Sequence, residues 1–422
     1  MQNTKENNKA YMKWLPELMA MLLLMIIRVL AVWVNGILPT GDMTLYEMAE
    51  IAGVKSGSEI LYNSSYVYVS MLSVLLRFFG NKWIVAVIMQ AVLLLVISIL
   101  FYIIVRKLYG RVASIVFLPI AAVTPELMLG YTRITSDVLL VLVTGLVLFP
   151  AIPILSDKKE SGKWECIVSG LVAGILTGAL LWLDLFGIIV YLALIAGVLL
   201  PCKKGLGLKK LISIGCITIG VATILLSVYL MEKGLTESTL WEFARYYLEP
   251  YVLEAQLLPI HFSTWSQRDI LSLLTALVAA VTVVLSSAGI FKAQVKLSAV
   301  AMTILLGIVG LRMMHMTHVS YAVMESICWL LVLGGILQHF VEQYTIKDAE
   351  RKQAKVMEEG RNTTETVSVE EQPVQQTNYI PNPLPLPKKH VKKEIKFDYE
   401  PLPEQMEFDY ELKEGEDDYD LK

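Results

Sequence analysis

The sequence predicts an all-α protein, a polytopic transmembrane bundle of about ten helices followed by a disordered cytoplasmic tail. Three observations carry that expectation. Of the 422 residues, 55% are hydrophobic and only 18% are charged, against about 25% in soluble proteins. Mean hydropathy is +0.57, and apolar runs near the length of a bilayer crossing recur along most of the chain. The charge is also segregated. Residues 341–422 carry 12 Lys+Arg against 20 Asp+Glu, a net −8, whereas the first 340 residues carry 24 against 19, a net +5. Neither part is basic enough for a nucleic-acid binder.

The expected spans are 18–34, 83–105, 112–130, 138–155, 166–182, 185–200, 211–230, 269–290, 297–312 and 319–340. Residues 166–200 taken as one helix would be about 52 Å long, too long for a core of about 30 Å. A hairpin with Asp184 at a solvated tip resolves this. The first span is too long for a signal-peptide core and has no small-residue cleavage site after it. The positive-inside rule places Lys5, Lys9 and Lys13 in the cytoplasm. Arg106, Lys107 and Arg111 fall on the same side, as do Lys158, Lys159 and Lys163, then Lys203, Lys204, Lys209 and Lys210, and finally Lys292 and Lys296. Both termini are therefore expected to be cytoplasmic, in a multi-pass cell-membrane protein.

Two long loops, 35–82 and 231–268, then face outward. In the first, YVYVSMLSVLLRFFG is apolar but carries Arg77, and it reads as a helix lying in the outer interface. The second is rich in aromatic residues and charge, and ordered structure is expected in it because a mere connector needs only a few residues. Residues 1–340 thus form the membrane domain. Residues 341–361 read as a charged helical extension, and 362–422 as a disordered acidic tail with too few apolar residues and too many prolines to fold. The tail's two FDYE repeats, at 397–400 and 408–411, suit either docking to a cytoplasmic protein or simple solvation.

The chemistry is sought among charges on the outer side. Asp42, Glu126, Asp137 and Asp184 all fall near outer helix ends. Each alone is what a helix end carries, but together they suggest a polar cavity open outward. Arg28 lies inside the first span, where an unpaired charge costs roughly 2.5–3.5 kcal/mol or more. It therefore either snorkels outward or pairs with an anion. Arg245, Arg312, His315 and His318 are further candidates, and arginine suits phosphate because its planar fork bonds two oxygens at once. The four cysteines and five histidines form no disulfide or zinc pattern.

Several segments together resemble a known family. GDMTLYEMA at 41–49, with Asp42, Tyr46 and Ala49, resembles the first outer-loop motif of GT-C glycosyltransferases, in the branch of family 39, protein O-mannosyltransferases and lipid A aminoarabinose transferases. LLRFFGNKW at 75–83 is similar to that family's interfacial helix, and VRKLYGRVAS at 105–114 to its first cytoplasmic turn. TPELMLGYTRITSDVLLVLV at 124–143 and GLVAGILTGALLWLDLFGIIVYL at 170–192 resemble its next outer turn and small-residue hairpin. The similarity covers about residues 15–200. Met43 stands where the family often has Glu, and Asp184 where relatives often carry a basic residue. The chain also has fewer spans than many relatives and lacks their large outer domain.

The resemblance implies a membrane glycosyltransferase that moves a sugar from a polyprenyl-phosphate carrier to an acceptor on the outer face, inverting the anomeric centre. Asp42 would be the base. Asp137 would position the acceptor or a cation, so a divalent metal stays open as cofactor. Tyr46 would fix the direction of Asp42. Arg28, Arg245 or Arg312 would steady the phosphate, where negative charge develops, beside Glu126, Asp184 and His315. No Gly-rich phosphate loop appears on the cytoplasmic side to serve a nucleotide-sugar donor. A non-catalytic GT-C-like scaffold of a cell-envelope assembly complex is the alternative, because the tail invites partners. A transporter fits less well, since no internal repeats or paired broken helices are readable.

Overall fold

Every element among the described residues is helical, the arrangement that satisfies backbone groups within their own segment when no water is at hand. The computed structural model describes residues 2–36, 39, 43–54, 64–156, 162–199, 208–236, 239, 267–288, 295–313 and 321–365. The helices are α1 (Gln2–Asn35), α2 (Thr44–Val54), α3 (Ser64–Phe79), α4 (Trp83–Leu108), α5 (Arg111–Val123) and the one-turn α6 (Pro125–Met128). After a 3-10 turn at Gly130–Thr132 come α7 (Asp137–Leu155), α8 (Lys163–Leu183), α9 (Phe186–Leu199) and α10 (Leu208–Thr236). The last are α11 (Gln267–Ser287), α12 (Val295–Met313) and α13 (Ala322–Glu365). The chain divides into two units, Met1–Glu358 and Glu359–Lys422. The bundle belongs to the first, and of the second only residues 359–365 are described.

Eight of these helices are long and apolar enough to cross a membrane. The expected spans 112–130 and 185–200 are instead the 13-residue α5 and the 14-residue α9. At α5 the reason is Pro125. It has no N–H to donate and forces the residue before it out of helical geometry, so Thr124 is extended (φ −65°, ψ 121°) and the helix stops. Both nevertheless run between the same ends as their longer neighbours: α5 from Arg111 beside Glu17 to Val123 beside Glu126 and Arg268, and α9 from Phe186 beside Tyr321 to Gly197 beside the Lys296 carbonyl. The stretch expected in the interface is α3, a third apolar helix shorter than those eight. It buries Tyr68 and Leu72 and exposes Phe78 and Phe79.

One end of the bundle is fixed by Glu17. This carboxylate, 4% exposed, accepts hydrogen bonds from the Tyr102 hydroxyl (3.0 Å), the Arg106 guanidinium (2.9 Å) and Arg111 Nε (2.9 Å). Those partners join the start of the apolar part of α1 to the α4–α5 turn. At the same end Lys296 Nζ donates to the Ile154 carbonyl at 3.2 Å, tying α12 to the close of α7. Elsewhere α8 and α10 run parallel and nearly touch. A Cβ at Gly174 would stand 2.3 Å from the Ile217 carbonyl oxygen, and one at Gly220 2.7 Å from the Leu171 carbonyl. Small residues permit this approach, the usual means of helix association in lipid.

Candidate active site

The opposite end of the bundle gathers charge around the start of α13. The first side chain to consider is Asp137, 1% exposed, in the first turn of α7. A carboxylate there complements the helix dipole. Its Oδ2 accepts the backbone N–H of Val323 at 3.1 Å, so the same group also caps one of the amides that α13 cannot satisfy internally.

Asp184 makes the second link. It ends α8, and its Oδ1 accepts the Phe186 N–H (2.8 Å) and the Tyr321 hydroxyl (3.2 Å). The solvated hairpin tip expected from the sequence is not found, because Asp184 is 2% exposed. Tyr321 covers it. The Tyr321 ring stacks on Phe186 with centroids 5.2 Å apart. Its backbone takes φ +50°, a left-handed conformation that costs a non-glycine residue about 1–2 kcal/mol. The stack and the bond to Asp184 hold Tyr321 in that conformation at the entry to α13.

Arg312 closes α12 and donates through one nitrogen to Asp269 (2.8 Å) on α11 and Glu325 (2.7 Å) on α13. Glu325 also accepts the Ser272 hydroxyl at 2.7 Å. Arg312 is thus a three-helix clamp, already engaged by two carboxylates. Glu126, on α6, faces Arg268 at 3.4 Å and accepts the Ser326 hydroxyl at 3.4 Å.

Of these groups, Glu126, Arg268, Ser272, Glu325 and Ser326 border a cavity of about 460 Å³, within the usual size of ligand pockets. Its walls are Ile120, Val123, Leu271, Leu305 and Trp329. Val123, Leu271 and Trp329 are exposed, so apolar wall residues continue onto the outer surface of the bundle. A second cavity of about 60 Å³ is lined by Arg133, Thr135 and Asp137 and shares Pro125, Glu126 and Ala322 with the first. Glu126 therefore stands on the wall common to both.

The other sequence candidates sit elsewhere. Arg28 lines neither cavity. Among the described residues it meets no carboxylate; instead of snorkelling outward it donates to the Ser98 hydroxyl (2.7 Å) and the Leu94 carbonyl (3.2 Å) and so ties α1 to α4. Tyr46 donates to Asn81 Oδ1 at 2.8 Å, and Asn81 donates to Glu50, which joins α2 to the α3–α4 turn. Burial, and then the charge of Glu50, push the Tyr46 phenol above its usual pKa. Asp42, Arg245, His315 and His318 lie outside the described residues. Among the described residues no group of three or more His, Cys, Asp or Glu is placed to hold a metal ion.

Sequence reasoning missed Arg268, Asp269, Tyr321 and Glu325, as well as Glu17 at the far end. A signal was present for some of them. Glu325 lies within the apolar run of the last span, and Asp269 opens the eighth. Charges so placed are expensive unless they meet partners inside the bundle.

No protein-family model matches the chain, and no curated protein matches it. Among solved structures, ArnT from Cupriavidus metallidurans in the apo state aligns with a TM-score of 0.51 and 15% sequence identity. The alignment covers 78% of this chain and 60% of that one. The chain has an ArnT-like fold. It spans 60% of the length of ArnT, and at this identity the likeness concerns architecture alone. The ArnT-like architecture agrees with the resemblance read from residues 41–49 through 170–192.

Proposed function

We propose that the protein is a membrane glycosyltransferase that moves a sugar from a polyprenyl-phosphate carrier to an acceptor on the outer face of the cell membrane, with inversion. The observation that carries this reading is the cavity of about 460 Å³, apolar along its wall and charged at Glu126, Arg268 and Glu325, in an ArnT-like bundle. An apolar chain bearing a phosphate and a sugar has the same division of character. In this reading both termini are cytoplasmic, which puts the charged end of the bundle outside. Residues 1–340 form the membrane domain, 341–361 a helical extension, and 362–422 a tail that docks a cytoplasmic partner.

Asp42 is the base that takes the acceptor's proton as the acceptor oxygen attacks the sugar's anomeric carbon. The carrier phosphate leaves with the electrons of the broken bond. Asp137, on the wall of the small cavity, positions the acceptor. Arg245 and His315 belong to the substrate-binding set with Glu126, while Asp184 and Arg312 act from behind by fixing α13. Tyr46 and Arg28 hold α2 and α1.

The test is Asp42→Asn, read as release of labelled sugar from a polyprenyl-phosphate donor in membranes. The variant keeps the side chain's shape and removes the base. Expression should be unchanged and transfer should fall about 10²-fold or more. Full activity would end the assignment. A non-catalytic scaffold is the second reading, favoured by one observation: Asp137, Asp184 and Arg312 each bond to residues at the entry to α13 or in its first turn, as structural groups would. A wild type inactive with every donor tried would favour it.

A further inference from the structure

Arg268 and Arg312, both at the charged end, are not equivalent. Arg312 is held by two carboxylates at 2.8 and 2.7 Å. Arg268 meets Glu126 at 3.4 Å with its side chain 46% exposed. Among the described residues Arg268 is also the one basic side chain lining the large cavity. A long, partly exposed pair of this kind contributes at most about a fivefold factor to an equilibrium. Two charge-assisted bonds from the guanidinium fork to a phosphate are stronger.

We propose that the Arg268–Glu126 pair is an exchangeable latch. The phosphate of a single-chain amphiphile in the large cavity takes Arg268 away from Glu126, and this leaves the Glu126 carboxylate for a polar group in the small cavity. The inference rests on the proposed carrier-phosphate reading and deepens it. Three features carry it. The apolar wall reaches the bundle's exposed flank through Val123 and Leu271. Arg268 lies where that wall meets charge. Glu126 lines both cavities, and among the described residues its other partner is the Ser326 hydroxyl at 3.4 Å. Ligand binding on one side of the shared wall is thereby coupled to the availability of a carboxylate on the other.

The experiment is calorimetric titration of the full chain in detergent with farnesyl phosphate, farnesol, inorganic phosphate and phosphatidylglycerol. Farnesyl phosphate should bind at least about tenfold more tightly than the other three. Arg268→Gln should weaken farnesyl phosphate by about tenfold or more, the scale of a lost charged hydrogen bond, and leave farnesol unchanged. Arg268→Lys, which keeps the charge and loses the fork, should fall between and serves where the Gln variant does not fold. Glu126→Gln should tighten farnesyl phosphate by about twofold to fivefold, because the competitor for Arg268 is gone. Unchanged or weaker binding in Glu126→Gln overturns the latch, and so does unchanged binding in the Arg268 variants. Phosphatidylglycerol or inorganic phosphate binding as tightly as farnesyl phosphate overturns the assigned ligand. The two proposals fail separately. The expected binding pattern without sugar transfer from any donor leaves the latch standing and removes the glycosyltransferase. Asp42-dependent transfer with no effect of Glu126→Gln does the reverse.

Discussion

Replacing Arg312 by Met should be the most damaging single change at the charged end of the bundle. The clamp joins α11, α12 and α13 through bonds of 2.8 Å to Asp269 and 2.7 Å to Glu325. All three side chains are largely buried, with exposures of 18%, 16% and 10%. Methionine fills much of the same volume but carries no charge. Two carboxylates then face each other without the guanidinium between them, and Glu325 keeps the Ser272 hydroxyl. Losing one partner of a buried ion pair costs about 3–5 kcal/mol, mostly the penalty of the charge left behind. The lower end, about 3 kcal/mol, is expected here because water reaches part of the cluster.

The double variant Arg312→Met/Glu325→Met removes one of the two stranded charges, and with it their mutual repulsion. It should recover a large part of that loss, since neighbours in one network are not additive. Unfolding in mixed micelles, followed by tryptophan emission for wild type, both single variants and the double variant, gives the coupling directly. A loss below about 0.5 kcal/mol in Arg312→Met, the range of surface substitutions, would refute the clamp. Losses that simply add in the double variant would refute it equally.

Topology is tested with reporter fusions. Those at Ser58 and Thr236 should read outside and one at Gly205 inside, and an outside signal at Gly205 would reverse the bundle and the side on which its chemistry occurs. For the tail, deletion of residues 366–422 should leave transfer by the purified protein intact while lowering it in cells through loss of a cytoplasmic partner; a purified truncation without activity would refute that separation.

The sequence by itself determined the class of molecule. Apolar runs near 20 residues can be satisfied only as helices in lipid, and clusters such as Lys203, Lys204, Lys209 and Lys210 set the expected orientation. It also located Glu126, Asp137, Asp184 and Arg312, because charge at the edge of an apolar run stands out without any knowledge of packing. What those residues touch was not legible. Asp184 and Tyr321 are 137 positions apart, and Glu126 and Ser326 are 200 apart, and no local pattern encodes such pairings. Arg28 shows the same limit. A charge inside a span announces a partner, but only the packing of α1 on α4 reveals that the partners are Ser98 and the Leu94 carbonyl. The short α5 was readable in principle from Pro125, whose missing N–H ends a helix wherever it falls. Hydropathy carried the expected span past it because a window average registers apolar character and not hydrogen-bonding capacity. The tertiary structure alone decided that the entry to α13 is where the charges converge. That follows from three separate helix ends, at Asp137, Asp184 and Arg312, needing the same few residues to satisfy their polar groups away from water.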